Sequence, residues 1–261
     1  MTATIAALFR HPIKGFTPEK VELARLAPQK PFPGDRLYAI EDGPSGFDPA
    51  KPAWITKQKF AVLAKISEVA KARTRFDDAA GLLHAQAQGH PPFRGDLKLE
   101  ADRAAFAAWL GAVLGEAATG PLRVLDGEGH RFLDHPLGHV SIINLASVRD
   151  HEERLGRYVD PLRFRANLYV EGWPAWAEND WEGRALRLGE VEATVFKPIV
   201  RCAAPGVDPT TAARDIDVPA ELHRLYGHML CGIYVHVAKG GVVRAGDPAV
   251  ASDNPRRESP P

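Results

Sequence analysis

Short runs in which apolar and polar side chains alternate recur along this 261-residue chain. Alternation with a period of two predicts strands with one buried face, because successive side chains of a strand point to opposite sides. The first predicted strand is Thr4–Phe9, and another covers Leu37–Ile40. In the second half the predicted strands lie closer together: 163–170, 184–188, 191–196, 231–237 and 242–244. This spacing, with turn residues between, favours a barrel or a sandwich over a doubly wound sheet.

Three segments have the period of an amphipathic helix instead. In the clearest, 102–115, Asp102 is placed to cap the start and Gly115 to end it. Its apolar positions share one face: Phe106, Trp109, Leu110, Val113 and Leu114. Two more helices are predicted, over Ser147–Leu155 and from Pro219 to Gly227. The predicted fold class is therefore α+β, mainly β, with a few flanking helices.

The chain divides most naturally at Glu116–Pro121. We predict one domain over 1–118 and a second over 119–250. The stretch 251–261 is polar and rich in proline, and we expect it to be a flexible tail.

Composition narrows the class of protein. Lysine plus arginine and aspartate plus glutamate both number 33, so the formal net charge is zero. A balanced chain gives no electrostatic reason to expect nucleic acid or an anionic membrane as partner. No run approaches the roughly 18 apolar residues of a membrane span, and the first residues do not resemble a signal peptide. With two cysteines, we expect a cytoplasmic protein with reduced thiols.

Several common site motifs are absent from the sequence. It has no glycine-rich dinucleotide fingerprint, no phosphate-binding loop and no nucleophile elbow. His130, His135 and His139 could form a ligand group, but their Pro/Gly-rich context fits a loop better. Two isolated cysteines do not supply the roughly four ligands of a zinc site.

The predicted strand 163–170 places Arg163, Arg165 and Asn167 on one face. Two guanidiniums and an amide there form a candidate site for an anion or a heterocycle, because arginine donates bidentately to phosphate. The alternative is a solvated face of a half-buried strand.

Cys202 is the more informative of the two cysteines. It follows a strand-like run and precedes a Pro-Gly turn, so its thiol is predicted at a strand end, where scaffolds often present functional groups. Arg201 beside it favours the thiolate, which binds metals and attacks electrophiles. Cys231 lies inside an apolar alternating strand and is predicted to be a core residue.

These residues resemble a known family. The second half resembles the MOSC domain, the module shared with molybdenum-cofactor sulfurase C-termini. The motifs that carry the resemblance are 163–172 (RFRANLYVEG), 176–181 (WAENDW), Arg201-Cys202, 207–209 (VDP), 226–228 (YGH) and 246–248 (GDP). The first half resembles the β-barrel domain that precedes MOSC in such proteins, through 11–15 (HPIKG) and 34–36 (GDR). The resemblance implies an N-terminal β-barrel-like domain followed by a MOSC-type β-barrel.

The family, which includes the mitochondrial amidoxime-reducing component, implies a molybdenum cofactor, a molybdopterin, held between the two parts. By its motifs, Cys202 ligates the molybdenum. The positions that match the family's cofactor-binding residues are Lys14, Arg36, Arg165, Asn167 and Arg201. Asp134 matches an acidic residue near the metal, and Gly15 stands where that relative has serine.

The resemblance implies an oxidoreductase that reduces N-hydroxylated compounds by oxygen-atom transfer. Two cysteines cannot hold an iron–sulfur cluster, which needs about four ligands, so a separate electron-donor protein or reductase is expected as partner. The alternative hypothesis is a sulfur carrier or cofactor-handling protein with a persulfide on Cys202.

Overall fold

The structure is a computed structural model that describes residues 2–138 and 140–255. The strands within these ranges are β1 (Thr2–Arg10), β2 (Glu19–Val21), β3 (Leu23–Leu26), β4 (Tyr38–Asp42), β5 (Arg73–Asp77), β6 (Leu82–Gln86), β7 (Phe93–Gly95), β8 (Leu122–Asp126), β9 (Val140–Asn144), β10 (Leu168–Glu171), β11 (Arg184–Leu188), β12 (Val191–Val200), β13 (Leu230–Lys239), β14 (Gly241–Arg244) and β15 (Pro248–Pro255). The α-helices are α1 (Glu100–Leu114), α2 (Leu145–Leu155) and α3 (Val218–Tyr226). Short 3₁₀ helices cover Lys57–Lys59, Ser67–Lys71, Gly115–Ala117, Pro161–Phe164, Ala177–Asp180 and Ala204–Gly206.

The largest sheet closes into a barrel of seven strands in the order β1-β10-β9-β13-β12-β11-β15, with β15 paired to β1 again. All these pairings are antiparallel except β9 with β10, and β2 extends one end of β1. Closure leaves no exposed strand edge, the usual solution for a mainly antiparallel sheet. The predicted mainly-β fold class is confirmed.

Side chains that alternate inward fill the barrel. On β1 these are Ala3, Ile5 and Leu8, which pack against inward residues of the other strands such as Ile142. The register shifts between Ile5 and Ala7, which brings Leu8 rather than Ala7 inward. The first strand of the chain therefore belongs to the core of the barrel.

The remaining strands of the first half form small sheets beside the barrel. β4 pairs with β8, while β5, β6 and β7 form a three-stranded sheet. Helix α1 packs Phe106, Leu110 and Leu114 into the core that these sheets share. Pairing of β4 with β8, and of β1 with β10, crosses residue 118, so the division into 1–118 and 119–250 remains a prediction.

The three predicted helices are confirmed with small shifts at their ends. Helix α1 ends at Gly115, which adopts φ +54, as expected for a glycine after a helix. The predicted cap at its start is wrong: the cap position is Leu99, and the Asp102 carboxylate accepts the Asp96 N–H at 2.7 Å instead. In the ranges 2–138 and 140–255, no helix is both long and apolar enough to cross a membrane.

The predicted strand 163–170 is wrong over its first half. Pro161–Phe164 forms a 3₁₀ helix, Arg165 has left-handed φ +53, and β10 begins only at Leu168. Asp160 and Pro161 start this helix. The Asp160 carboxylate accepts the backbone N–H of Leu162, and proline suits the first helical position. The alternation of polar and apolar residues in the sequence arises from this turn and not from a strand face.

The predicted flexible tail is also wrong for its first residues. Residues 251–255 belong to β15, which pairs with β1 and β11, and Ala251 is buried. Residues 256–261 lie outside the described residues.

A buried carboxyl group joins α2 to the barrel. The Glu178 side chain is fully buried and accepts hydrogen bonds from Asn144 Nδ2 at 2.8 Å and from Ser147 Oγ at 2.7 Å. Replacing Glu178 by alanine leaves both groups without this partner, and we expect a loss of about 2–4 kcal/mol in the free energy of unfolding. Denaturant unfolding measures it, with the exposed Glu182→Ala as control. Equal stability of the two variants would contradict the structural role of Glu178.

Candidate functional site

An open cavity lies where loops from the first half of the chain meet the end of β12 and the segment before β10. Its volume of about 130 Å³ is roughly ten times the space that one water molecule requires, so it can hold more than a trapped solvent molecule. All seven residues predicted for the site line it: Lys14, Arg36, Asp134, Arg165, Asn167, Arg201 and Cys202. The structure thus brings these positions together, while the role of each remains a prediction.

Cys202 lies just past the end of β12, as predicted. The Arg201 N–H donates to the Met229 carbonyl at 2.8 Å, which holds the strand end against β13, and the 3₁₀ helix Ala204–Gly206 then turns the chain away. The thiol is half-buried, is not in a disulfide and faces the cavity. Cys231 is confirmed as a core residue, since it is buried in β13 and burial raises the pKa of its thiol to about 12. Cys202 is therefore the thiol available to a ligand.

Lys57 is a residue of the site that the sequence reasoning missed. It opens the 3₁₀ helix Lys57–Lys59, lines the cavity and interacts with the Cys202 sulfur. Burial is the largest single influence and lowers the pKa of Lys57, but the hydrogen bond and charge of Cys202, together with the charge of Asp134, raise that pKa above its usual value. No motif in the sequence links Lys57 to Cys202, because only the folded chain places them together.

The Asp134 carboxylate lies between the cations Lys14 and Arg36. The buried Lys14 ammonium donates to the Phe132 carbonyl at 2.9 Å and to Asp134 at 2.8 Å. Arg36 pairs with Asp35, and its Nη2 lies 3.7 Å from Asp134. Burial by itself raises the pKa of Asp134. The charges of Lys14 and Arg36 outweigh burial and hold this pKa well below its usual range. Asp134 is thus a carboxylate, and its side chain is 43% exposed at the cavity.

The structure gives a reason for glycine at position 15, where the resemblance to the amidoxime-reducing component would place serine. Its φ is +89, and a Cβ at this position would lie 2.9 Å from Val62. A side chain here would be strained and would collide with the cavity wall. Glycine is therefore the residue that this turn against Val62 accepts.

Asp35, another residue that sequence reasoning missed, connects both halves of the site. Its buried carboxylate accepts the His11 N–H at 2.6 Å and Asn167 Nδ2 at 2.8 Å, besides pairing with Arg36. The side-chain oxygen of Asn167, Oδ1, in turn accepts hydrogen bonds from the backbone N–H and the hydroxyl group of Ser141. The amide of Asn167 thus fixes the cavity wall through hydrogen bonds inside the protein.

Arg165 differs from the other arginines of the cavity. Its Nη2 is buried and, among the described residues, has no hydrogen-bond partner. Burial, and next the charge of Arg36, lowers the pKa of Arg165 to about 10. A guanidinium held near another cation without a partner for one of its nitrogens is a binding group for an anion.

Arg163, which was predicted to share a face with Arg165, has its own partners. Its Nη2 donates to Asp208 at 2.8 Å and its Nη1 to Asp215 at 2.8 Å. Its ion pairs thus serve to fold the segment 203–217 against the 3₁₀ helix Pro161–Phe164. It contributes structure rather than free charge to the site.

Arg201 clamps two backbone segments. Its Nε donates to the Cys231 carbonyl at 2.7 Å and its Nη1 to the Phe164 carbonyl at 2.9 Å. The guanidinium also lies over the Phe164 ring, with 5.2 Å between Cζ and the ring centroid. Its Nη2 also donates to the Cys231 carbonyl, so all three guanidinium nitrogens bind backbone oxygens while the residue lines the cavity.

The cavity as a whole is electropositive. Lysine and arginine contribute six of its lining residues and aspartate two. Arg163 is neutralised by carboxylates outside the cavity, and the other five cations exceed the two carboxylates. Because the whole chain is neutral, this excess is local and favours an anionic ligand.

In the part of the chain that the structure describes, no group of three or more histidine, cysteine, aspartate or glutamate residues could hold a metal ion. Of the three histidines considered from the sequence, His139 lies outside the described residues.

Two family models match the chain. The MOSC N-terminal beta barrel domain matches residues 2–119 and the MOSC domain matches residues 130–250. Together they cover most of the sequence, and the chain belongs to the family of MOSC-domain proteins that carry this N-terminal domain.

Among named proteins, the chain is 30% identical over 119 residues to mitochondrial amidoxime-reducing component 1 of Mus musculus. It is 32% identical over 121 residues to mitochondrial amidoxime reducing component 2 of Bos taurus. The matched segments are 41% and 42% of this chain and only 34% and 35% of those relatives. Among solved structures, the YUAD protein from Bacillus subtilis matches 97% of this chain and 98% of its own at 13% identity, with a TM-score of 0.46.

Proposed function

We propose that this chain binds a molybdopterin-type cofactor in the cavity, with Cys202 as the protein ligand to molybdenum, and reduces N-hydroxylated compounds. The observation that carries the proposal is Arg165, whose buried Nη2 lacks a partner among the described residues of an electropositive cavity. A phosphate oxygen would supply the missing partner and offset the charge. The similarity to amidoxime-reducing components supports the reaction class.

The other residues fit the same group. Lys14 and Arg36 are held by Asp134 and Asp35 at positions where they can exchange a carboxylate for a phosphate. Gly15 lines the same cavity and lets the chain adopt a left-handed turn against Val62. The Cys202 thiolate is a soft ligand suited to a redox metal. When bound, the cofactor would supply the two-electron oxygen-atom transfer.

The overall reaction consumes two electrons and two protons for each N–O bond broken, and the oxygen leaves as water. We assign the electrons to a separate donor protein or reductase, because two cysteines cannot hold a cluster that needs about four ligands. Lys57 lines the same cavity as Cys202 and adds to its positive charge.

The test is elemental and pterin analysis of the chain 1–261 purified from a host that makes the molybdenum cofactor. We expect stoichiometric molybdenum and pterin, and reduction of a panel of N-hydroxylated amidines with an artificial electron donor. Protein that contains neither molybdenum nor pterin when made in such a host contradicts the proposal.

A second candidate function is a sulfur carrier with a persulfide on Cys202. Lys57 lines the same cavity as Cys202, and its ammonium charge would attract a persulfide anion on that sulfur. Metal-free protein that releases labile sulfur from Cys202 would support this alternative.

A further inference from the structure

Lys57 is the cation of the cavity that interacts with Cys202 itself. Three of the other cations have partners elsewhere: Lys14 and Arg36 pair with carboxylates, and Arg201 binds backbone carbonyls. Arg165, whose Nη2 has no partner among the described residues, is the group that we assign to the phosphate. Among the described residues Lys57 forms no ion pair within 4.0 Å, and its charge lies beside the one thiol that faces the cavity. A molecule that approaches the Cys202 sulfur therefore approaches this ammonium group.

The proposed reaction changes the charge of its ligand. An N-hydroxylated amidine is weakly basic, because the electronegative oxygen withdraws electron density from nitrogen, and it is neutral near pH 7. Reduction with two electrons and two protons breaks the N–O bond and releases water and the free amidine. The amidine is a strong base, and it takes one further proton from solvent to become a cation.

From this placement, and resting on the proposed function, we infer that Lys57 is a specificity-determining residue: it admits neutral or anionic ligands to Cys202 and repels the cationic product. Two unit charges about 3 Å apart change a binding constant by about tenfold even in surroundings as polar as bulk water. Because substrate and product differ by one charge, the same residue disfavours only the product. Lys57 thus promotes product release and limits product inhibition.

The first experiment needs no cofactor and no activity. In cofactor-free protein, Cys202 is modified by two methanethiosulfonate reagents, one with an anionic sulfonate and one with a cationic trimethylammonium group. Each forms a mixed disulfide and releases methanesulfinate. The ratio of the two rates reports the local potential, because changes in thiol reactivity affect both rates alike. Cys231 is buried, and Cys202→Ser provides the blank.

We expect the ratio of the anionic to the cationic reaction rate to be higher for Cys202 of the wild-type protein than for a small free thiol. Lys57→Met should lower the anion-to-cation ratio by about tenfold, since it removes one charge and keeps the length of the side chain. Lys57→Arg should retain the ratio, and the exposed Lys59→Met, in the same 3₁₀ helix, should leave it unchanged. An unchanged ratio in Lys57→Met overturns the inference.

The second experiment uses cofactor-loaded protein and compares inhibition by benzamidinium with inhibition by benzamide, its neutral counterpart. We expect Lys57→Met to bind benzamidinium several-fold tighter and benzamide equally well, with Lys57→Arg like the wild type. If Lys57→Met changes the affinity for benzamidinium and for benzamide equally, the role of Lys57 in product release is overturned. If the chain proves to have no reductase activity but the thiol ratio shifts as expected, the proposed function fails and charge selection at Cys202 stands.

Discussion

Replacing Cys202 by serine is expected to remove molybdenum from the purified protein and to lower N-reductase activity at least about a hundredfold. The thiol is the soft ligand that the cavity offers, and a serine hydroxyl is a hard, neutral group at neutral pH. Loss of an outer partner of a metal ligand alone typically costs ten- to a hundredfold in affinity or activity, and loss of the ligand itself should cost more. Molybdenum and pterin are measured on the same sample as activity.

The chain supplies its own control for this variant. Cys231→Ala removes the other thiol, which is buried in β13 away from solvent. It should reduce stability modestly through the loss of a small buried side chain, while molybdenum content stays stoichiometric. A Cys202→Ser protein that keeps full molybdenum and full activity would show that the assigned ligand is wrong.

Two arginines that are two residues apart, Arg163 and Arg165, should respond to the same substitution in opposite ways. Arg163→Met leaves Asp208 and Asp215 without their buried cation, and we expect a loss of about 3–5 kcal/mol in the free energy of unfolding. Arg165→Met removes a guanidinium whose Nη2 has no partner among the described residues. We expect the cofactor-free Arg165→Met protein to gain about 1 kcal/mol, because an unsatisfied buried group no longer opposes folding.

The cofactor content should separate the two residues further. Arg165→Met is expected to lose cofactor by about tenfold or more on gel filtration, because a charge-assisted contact to phosphate is gone. Arg163→Met should retain the cofactor at temperatures where the protein is folded. Denaturant unfolding of the cofactor-free proteins and pterin fluorescence of the loaded ones measure both effects. An Arg165→Met protein that is destabilised and still holds its cofactor would contradict the assignment of Arg165 as an anion-binding residue.

The parts of the fold that were predictable are those set by local pattern. The helix before Gly115 and the burial of Cys231 within an alternating strand follow from periodicity and from glycine chemistry, which act over a few residues. The position of Cys202 at a strand end followed in the same way, from a strand-like run that meets a Pro-Gly turn.

The parts that were not predictable depend on competition between local and distant partners. Alternation over 163–170 imitates a strand, but Asp160 and Pro161 start a 3₁₀ helix, and Arg163 gains ion pairs with distant carboxylates. The alternation of polar and apolar residues along the sequence carries no information about such distant ion pairs. Lys57 and Asp35 were missed for a related reason, since each acquires its role from residues far away in the chain.

The closure of the barrel by β1 has a consequence for how the molecule folds. β1 pairs with β15 through Thr2 opposite Val250, so the contact that completes the sheet joins residues separated by almost the whole chain. High contact order of this kind makes folding slow, because the entropy of closing the long loop is lost before the contacts form. During synthesis on the ribosome, β1 must wait for its last neighbour. A ligand of the cavity is therefore expected to bind only after β15 has left the ribosome and the barrel has closed.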